Sequence, residues 1–208
     1  MIDAYVWTTP NGYKALIALE EFGLAYQPHW IDISKGAQLT PEFLAINPNH
    51  KIPAIVDHDG PGGEPLTVFE SGAVLTYLAE KTGEFLATSG ATRYTALQWV
   101  FFNIGNTGPM LGQLGYFTKF AKEKVPHAID RFTTEADRLF HVLDGRLAKA
   151  HYLAGDELTI ADIANFTWPR AARTFLEMDL SKYTHLTRWL DELEKRPAFQ
   201  KALAIKPT

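Results

Sequence analysis

Apolar and polar positions in the first part of the chain form short stretches separated by turn-forming residues. Runs of β-branched and aromatic residues bounded by Gly, Pro or Asn are typical of strands, and apolar residues three and four apart are typical of helices. These patterns predict strands and helices in the order β-α-β-α-β-β-α. The strands fall at 2–7, 26–33, 54–56 and 66–69, and the helices at 11–21, 41–46 and 71–81.

The texture of the sequence changes at 86–92, where small and polar residues predominate, and we place a domain boundary there. Beyond it the pattern predicts helices alone, including 92–102 and a long amphipathic helix over 125–150. A last core-facing helix around Trp189 is predicted to end at Arg196-Pro197. The fold class is therefore α/β plus all-α. A thioredoxin-like domain over 1–84 precedes an all-helical domain over 91–208.

Two further local patterns lie in the helical half. Gly105, Gly108, Gly112 and Gly115 weaken the helical pattern between the two long helices, and this region is either a cleft wall or a kinked core helix. Thr159 and Asp162 match a capping box at the start of another helix, bracketed by apolar residues. We assign this box to folding and not to catalysis.

Composition excludes several classes of function. The 208 residues include no cysteine, which rules out disulfides, thiolate metal sites and a protein thiol nucleophile. A net charge of −4 argues against a nucleic-acid partner. The seven histidines are scattered without metal-ligand spacing, so we expect no metal. Neither a leader at Met1 nor an apolar run of membrane-spanning length is evident, and we expect a cytoplasmic protein without a membrane partner.

The most informative stretch is Asn49-His50-Lys51-Ile52-Pro53-Ala54-Ile55-Val56-Asp57, together with Phe69-Glu70-Ser71-Gly72-Ala73. Pro53 stands where a strand should begin, and a cis Ile52–Pro53 bond would make a tight turn with the Ile52 backbone outward and unpaired. Glu70 and Ser71 stand at a helix N-terminus, which attracts carboxylates. Either motif alone is equally consistent with a turn and a cap that bind nothing. Together they favour a site for a small peptide.

These residues resemble those of the soluble glutathione transferases. The resemblance implies that the turn at Ile52-Pro53 pairs with the cysteinyl backbone of glutathione. It also implies that Glu70 and Ser71 hold the γ-glutamyl end.

The stretch Thr9-Pro10-Asn11-Gly12 narrows the resemblance to the nu-class bacterial members, called disulfide-bond oxidoreductases, and to the related yeast nitrogen-regulation prion protein. The match continues through Lys35-Gly36-Ala37-Gln38, Gly108-Pro109-Met110-Leu111-Gly112-Gln113 and Ala128-Ile129-Asp130-Arg131-Phe132. Ala37 and Asp130 depart from the usual residues. The resemblance covers nearly the whole chain.

Families of this fold place a Tyr, Ser or Cys after the first strand to handle the thiol, whereas this chain offers Thr9 and Asn11. A thiol at the start of the first helix would meet free N–H groups and the positive end of the dipole, which lower a thiol pKa. Thr9 can donate a hydroxyl hydrogen and Asn11 an amide hydrogen, or both residues only shape the turn. Gln38 and Lys51 are candidates for the glycine carboxylate. The resemblance adds Arg131, with a second glutathione as its possible ligand.

The resemblance implies an enzyme that reduces small disulfides, and organic hydroperoxides, with glutathione as cosubstrate. Two alternatives stay open: conjugation of glutathione to electrophiles, and a non-catalytic glutathione-binding regulatory module. Family members are dimers, so we also expect a homodimer of two-fold symmetry. The expected ligands are glutathione or its disulfide and a small disulfide or hydroperoxide.

Overall fold

The computed structural model describes residues 1–207. Within it the chain clusters into two compact units. The first comprises Met1–Thr88 together with the chain from Arg196 onward, and the second comprises Ser89–Lys195.

The first unit is built on a four-stranded mixed sheet. Its strands are β1 (Ile2–Val6), β2 (Tyr26–Trp30), β3 (Ala54–Asp57) and β4 (Leu66–Phe69), in the order β2-β1-β3-β4. β1 runs parallel to β2 and antiparallel to β3, and β3 runs antiparallel to β4. The helices that follow them are α1 (Pro10–Glu21), α2 (Pro41–Ile46) and α3 (Ser71–Thr82). The predicted thioredoxin-like order is confirmed.

The predicted second strand is too long. β2 ends at Trp30, and 3₁₀ turns occupy Ile33–Lys35 and Ala37–Leu39. Asp32 ends the extended backbone because its carboxylate accepts the Ser34 N–H at 3.0 Å, which caps the first of these turns.

The core of the first unit lies between the sheet and its helices. α1 packs against β1 and α3, and its run from Ala15 to Leu19 is buried. A further helix, α9 (Pro197–Ala204), also packs on α1.

The second unit is helical, and no strand occurs between residues 89 and 195. Its helices are α4 (Gly90–Phe102), α5 (Gly108–Gly115), α6 (Pro126–Leu147), α7 (Ile160–Thr174) and α8 (Thr184–Glu194). Wider π-helical turns at Asn103–Thr107 and Tyr116–Phe120 flank α5. The glycine-rich region is therefore helical and interrupted by these turns. Gly108 and Gly112 lie against the indole of Trp168, where a Cβ would approach within 3.2 and 3.4 Å.

The helix around Trp189 was predicted to be the last one, and this prediction is wrong. Arg196-Pro197 does end α8, but Pro197 then begins another helix, α9 (Pro197–Ala204). Proline is well tolerated at the first helical position, where its missing N–H is not needed. Phe199 and Ala202 of α9 are buried, and Arg196 binds Glu21 of α1 through two hydrogen bonds of 2.6 and 2.9 Å.

The predicted capping box is confirmed. The Thr159 hydroxyl caps α7, and the Asp162 carboxylate accepts the Thr159 N–H at 3.0 Å. The other Asp162 oxygen accepts hydrogen bonds from the Leu153 N–H at 2.9 Å and the Trp189 indole at 3.0 Å. The box therefore ties the loop before α7 and helix α8 to the start of α7.

None of the helices between residues 1 and 207 combines the length and the apolar character that crossing a bilayer requires. Within the same residues, no group of three or more metal-ligating side chains is arranged to hold a metal ion.

Candidate functional site

The strand register brings four segments to one edge of the sheet in the first unit. Tyr5 near the end of β1 pairs with Ala54 at the start of β3, and Ala54 pairs with Phe69 at the end of β4. β2 ends at the same edge because it runs parallel to β1. The residues that follow β1, β2 and β4, and those that precede β3, therefore converge here. These segments carry all the predicted site residues of the first unit: Thr9, Asn11, Gln38, Lys51, Ile52, Pro53, Glu70 and Ser71.

Three residues separate the end of β1 from the first residue of α1. Thr9 is the N-cap, and its hydroxyl oxygen accepts the Gly12 N–H at 3.2 Å. A Cβ at Gly12 would lie 2.0 Å from the Trp7 carbonyl oxygen, so only glycine allows this close approach of helix and strand. The first turn offers fewer free N–H groups than its sequence suggests, since Pro10 has none and Thr9 engages that of Gly12. The helix dipole still acts on an anion placed at this end of α1, where Thr9 and Asn11 lie.

The turn before β3 is held by a buried amide. Asn47 is buried, and its side chain donates to the Lys51 carbonyl at 2.6 Å and accepts the Asn49 N–H at 2.9 Å. The Ile52–Pro53 peptide bond is cis. Ile52 therefore lies just ahead of the first paired residue of β3, Ala54, at the sheet edge.

Glu70 joins β4 to α3 in an unusual conformation. Its backbone φ is 68°, in a region that residues other than glycine rarely adopt. Such strain costs on the order of 1–3 kcal/mol and is concentrated at functional sites. The Glu70 carboxylate does not cap α3; instead it accepts a hydrogen bond from the Asn49 amide at 3.2 Å. Glu70 is exposed, and Ser71 beside it is buried at the first position of α3.

A buried lysine lies within reach of the Glu70 charge. Lys14 is in α1, one turn beyond Asn11, and only 1% of it is exposed. Burial lowers its pKa from 10.5 to about 7, against the opposing attraction of Glu70. Desolvation thus outweighs the attraction of the Glu70 charge, as expected for an ammonium removed from water.

Gln38 follows β2 and Lys51 precedes β3, so both lie at this edge of the sheet. Gln38 is in the second 3₁₀ turn after β2, and its side-chain oxygen is buried without a hydrogen-bond partner. Lys51 is exposed in the turn before β3. Lys51 therefore presents a cation to solvent, and Gln38 has an acceptor oxygen that is buried without a partner.

The last predicted site residue, Arg131, belongs to the second unit. It is exposed on α6 and forms no ion pair within residues 1–207. It lines a cavity of about 460 Å³ together with Met110, His127, Asp130, Phe132, Thr134 and Glu135. Two hydrogen bonds from Arg138 hold the pKa of Glu135 below its usual value, and the Arg131 charge adds to this effect.

Sequence reasoning missed Lys14, Asn47 and Asn49. Lys14 is a single charge in the otherwise apolar run Tyr13-Lys14-Ala15-Leu16-Ile17, and this was the available signal. The two asparagines flank Pro48, where turn residues are common, and nothing local distinguishes a structural amide from a solvated one.

Two family models match the chain. The model of the glutathione S-transferase N-terminal domain matches residues 8–81, and that of the C-terminal domain matches residues 107–197. Together they span most of both units.

One relative matches the chain over nearly its whole length. The chain is 48% identical to the disulfide-bond oxidoreductase YfcG of Escherichia coli over 204 residues, which cover 98% of this chain and 94% of the relative.

Two solved structures have the same fold. One is a glutathione transferase family member from Pseudomonas fluorescens with two glutathione bound, at 44% identity and a TM-score of 0.94, covering 97% of this chain and 92% of that one. The other is a glutathione transferase from Pseudomonas putida with one glutathione disulfide bound per subunit. It is 42% identical with a TM-score of 0.92, covering 99% of this chain and 92% of that one. By sequence and by fold, then, the chain belongs to the glutathione S-transferase family.

Proposed function

We propose that this protein is a glutathione-dependent oxidoreductase that reduces small disulfides, and organic hydroperoxides, with glutathione as electron donor. The observation that carries the proposal is the convergence of Asn11, the Ile52–Pro53 turn and Glu70 at one edge of the sheet. Each fits a different part of glutathione. Two observations on the relatives support the same proposal. One relative is named a disulfide-bond oxidoreductase, and the two solved structures contain glutathione or glutathione disulfide.

The three parts of the edge would divide the ligand between them. The exposed carboxylate of Glu70 would accept the α-ammonium of the γ-glutamyl group, and Ser71 at the α3 N-terminus would bind its carboxylate. Backbone groups of Ile52 would pair with the cysteinyl unit. Gln38 and Lys51 would hold the glycine carboxylate. The thiol then lies at the N-terminus of α1, next to Thr9 and Asn11.

The absence of cysteine from the sequence defines the chemistry. A glutathione thiolate attacks one sulfur of the substrate disulfide, forms a mixed disulfide and releases the first product thiolate, which takes a proton. A second glutathione attacks the mixed disulfide, yielding glutathione disulfide and the second product thiol. With a hydroperoxide the first thiolate attacks the terminal oxygen and releases the alcohol. The resulting sulfenic acid then reacts with the second glutathione to give glutathione disulfide and water.

The cavity around Arg131 is our candidate for holding the second glutathione. Arg131 is a guanidinium without an ion pair in the described chain, and such a group binds a carboxylate through two parallel hydrogen bonds. His127 lines the same cavity and can donate a further hydrogen bond.

Side-by-side rates test the proposal. Hydroxyethyl disulfide and an aryl chloride are compared as substrates at equal glutathione concentration. We expect turnover of the disulfide to dominate. Faster conjugation of the aryl chloride would identify a transferase in the strict sense, and no turnover of either substrate with glutathione still bound would identify a regulatory module.

A further inference from the structure

One hydrogen bond joins the two halves of the proposed glutathione site. The side-chain amide of Asn49 donates to Oε1 of Glu70 at 3.2 Å, across 21 positions of the chain. Asn49 lies in the turn whose Ile52 backbone would pair with the cysteinyl unit, and Glu70 would bind the γ-glutamyl ammonium. Both residues are exposed, and ordering two exposed side chains costs conformational entropy. The bond can therefore position a ligand group only if the backbone at both of its ends is already held.

Asn49 is held from the buried side of its turn. Its backbone N–H donates to Oδ1 of Asn47 at 2.9 Å, and Asn47 is only 1% exposed. The Asn47 side chain also donates to the Lys51 carbonyl at 2.6 Å, and the Asn47 carbonyl accepts the His50 N–H at 3.1 Å. These bonds fix the backbone on both sides of Asn49. His50 accordingly keeps a left-handed φ of 57°, a strained conformation that persists where surrounding contacts determine it.

Glu70 is held in a similar way. Its own φ of 68° is also left-handed, and its carbonyl oxygen accepts the Val74 N–H at 2.9 Å at the start of α3. Ser71, the next residue, is buried. Between residues 1 and 207, four residues other than glycine have a positive φ, and His50 and Glu70 are two of them. Both strained residues thus belong to the two segments that the Asn49–Glu70 hydrogen bond joins.

We propose that Asn49 is a positioning residue, which orients the Glu70 carboxylate for the α-ammonium of the γ-glutamyl group and so sets the preference of the site for ligands that carry this ammonium. This inference rests on the proposed glutathione site. The amide occupies Oε1 and leaves Oε2 to accept the ligand ammonium. A neutral donor suits this task because it leaves the carboxylate charge in place, whereas a lysine at this position would bring a competing cation.

The physical effect of Asn49 is preorganisation. Without its amide, the Glu70 side chain samples several rotamers in the free protein, and binding of the ammonium has to select one of them. The loss of affinity should therefore appear only with ligands that have the ammonium. Asn49→Ala removes the donor but keeps the backbone N–H that binds Asn47, so the turn itself should stay intact.

S-methylglutathione and its analogue without the α-amino group are titrated by calorimetry into wild type, Asn49→Ala, Glu70→Gln and the double variant. We expect Asn49→Ala to bind S-methylglutathione about tenfold more weakly than wild type, within the range of coupling between residues in contact. Its affinity for the analogue should equal that of wild type. In the Glu70→Gln background, adding Asn49→Ala should change neither affinity. Gln27→Ala is the matched control, because it removes an exposed amide whose hydrogen bond goes to the adjacent Pro28 carbonyl, and it should behave as wild type.

The outcomes separate the inference from the function beneath it. Equal weakening of both ligands by Asn49→Ala would overturn the inference, since it would show that the variant disturbs the turn. Wild-type affinity for both ligands would also overturn it and leave the glutathione site standing. A tenfold loss that persists in the Glu70→Gln background would refute any action through Glu70. No binding of S-methylglutathione by wild type would overturn the site and the inference together. If Asn49→Ala fails to fold, Asn49→Ser replaces it, because the serine side chain is one atom too short to reach Glu70.

Discussion

At the scale of single residues, the role of the Asn11 side chain in activating the thiol can be measured directly. Asn11 and Thr9 both lie at the start of α1, and Thr9 keeps its hydroxyl hydrogen although its oxygen accepts the Gly12 N–H. Loss of a donor to a charged group costs about 1.5–3 kcal/mol, or roughly one to two decades in rate. We expect Asn11→Ala to slow disulfide reduction by this amount at neutral pH, and Thr9→Val to slow it no more than that.

The ionisation of the bound thiol distinguishes activation by Asn11 from a role in shaping the turn. Ultraviolet absorbance of the bound thiolate is titrated against pH in wild type, Asn11→Ala and Asn11→Asp. We expect the thiol pKa to rise in Asn11→Ala and further in Asn11→Asp, because a carboxylate repels the thiolate. Equal titration midpoints and equal rates for wild type and Asn11→Ala would assign the activation to the helix backbone.

Lys14 also makes a prediction about stability. An unfolded lysine titrates near 10.5 and the folded Lys14 near 7, so between these values the folded chain binds fewer protons than the unfolded chain. The free energy of unfolding therefore gains a contribution that rises with pH across this window, by at most about 1.4 kcal/mol per pH unit. Lys14→Met removes this contribution. Its stability advantage over wild type should be largest at pH 7 and shrink towards pH 10.

Urea unfolding at pH 7, 8 and 9 measures this difference, with Lys149→Met, which changes an exposed lysine of the second unit, as the matched control. The control should run parallel to wild type. Stability curves of Lys14→Met that also run parallel to wild type would show that Lys14 titrates normally in the folded chain.

At the scale of elements, Asp162 holds the start of α7. It is fully buried and its two oxygens accept four hydrogen bonds, from Leu153, Trp189 and Thr159. Asp162→Ala leaves these donors buried without an acceptor, at a cost of about 1–3 kcal/mol for each unsatisfied group. Because four donors lose their acceptor, we expect a loss of at least about 4 kcal/mol in the free energy of unfolding.

Thermal and urea denaturation check this value against Asp156→Ala, an exposed carboxylate in the same loop. The Asp156 variant should stay within about 0.5 kcal/mol of wild type, as surface substitutions usually do. An Asp162 variant as stable as this control would mean that water replaces the carboxylate in its hydrogen bonds.

The element order was predictable because each strand and helix has a strong local signal. The capping box of Thr159 and Asp162 and the apolar face of α8 were found in the same way. Prediction failed where a non-local contact decides the structure. α9 follows a proline that reads equally as a stop, and its place is fixed by Phe199 packing and the Arg196–Glu21 pair. The end of β2 is a different case because a local contact sets it: the Asp32 carboxylate accepts hydrogen bonds from the N–H and the hydroxyl of Ser34.

The site shows the same division between local and non-local information. The positions of Pro53, Glu70 and Ser71 followed from turn and helix-start patterns. The strained φ of Glu70, its bond to Asn49 and its electrostatic coupling to Lys14 depend on the packing of α1, α3 and the turn before β3. These contacts join residues far apart in sequence, so no local pattern records them.

At the scale of the whole molecule, exposed apolar side chains favour a second copy of the chain as partner. Phe101 of α4 is 67% exposed and Tyr94, seven residues earlier on the same face of that helix, is 70% exposed. In the first unit, Leu66 and Phe69 are exposed on β4, which is an edge strand. Exposed apolar groups gathered on one face and on an open strand edge are typical of protein interfaces. Tyr116, in the π-helical turn after α5, is exposed as well.

We therefore predict a homodimer in solution, with the α4 face in its interface. Sedimentation velocity at micromolar concentration should show a single species of twice the chain mass. Phe101→Glu combined with Tyr94→Glu should shift it towards monomer, because a two-fold interface buries the four introduced carboxylates without partners. Phe120→Ser is the matched control: Phe120 is equally exposed at 67%, but its ring stacks on Phe175 of the same chain. Wild type that sediments only as monomer would refute the dimer, and dissociation by Phe120→Ser but not by the α4 variant would place the interface elsewhere on the second unit.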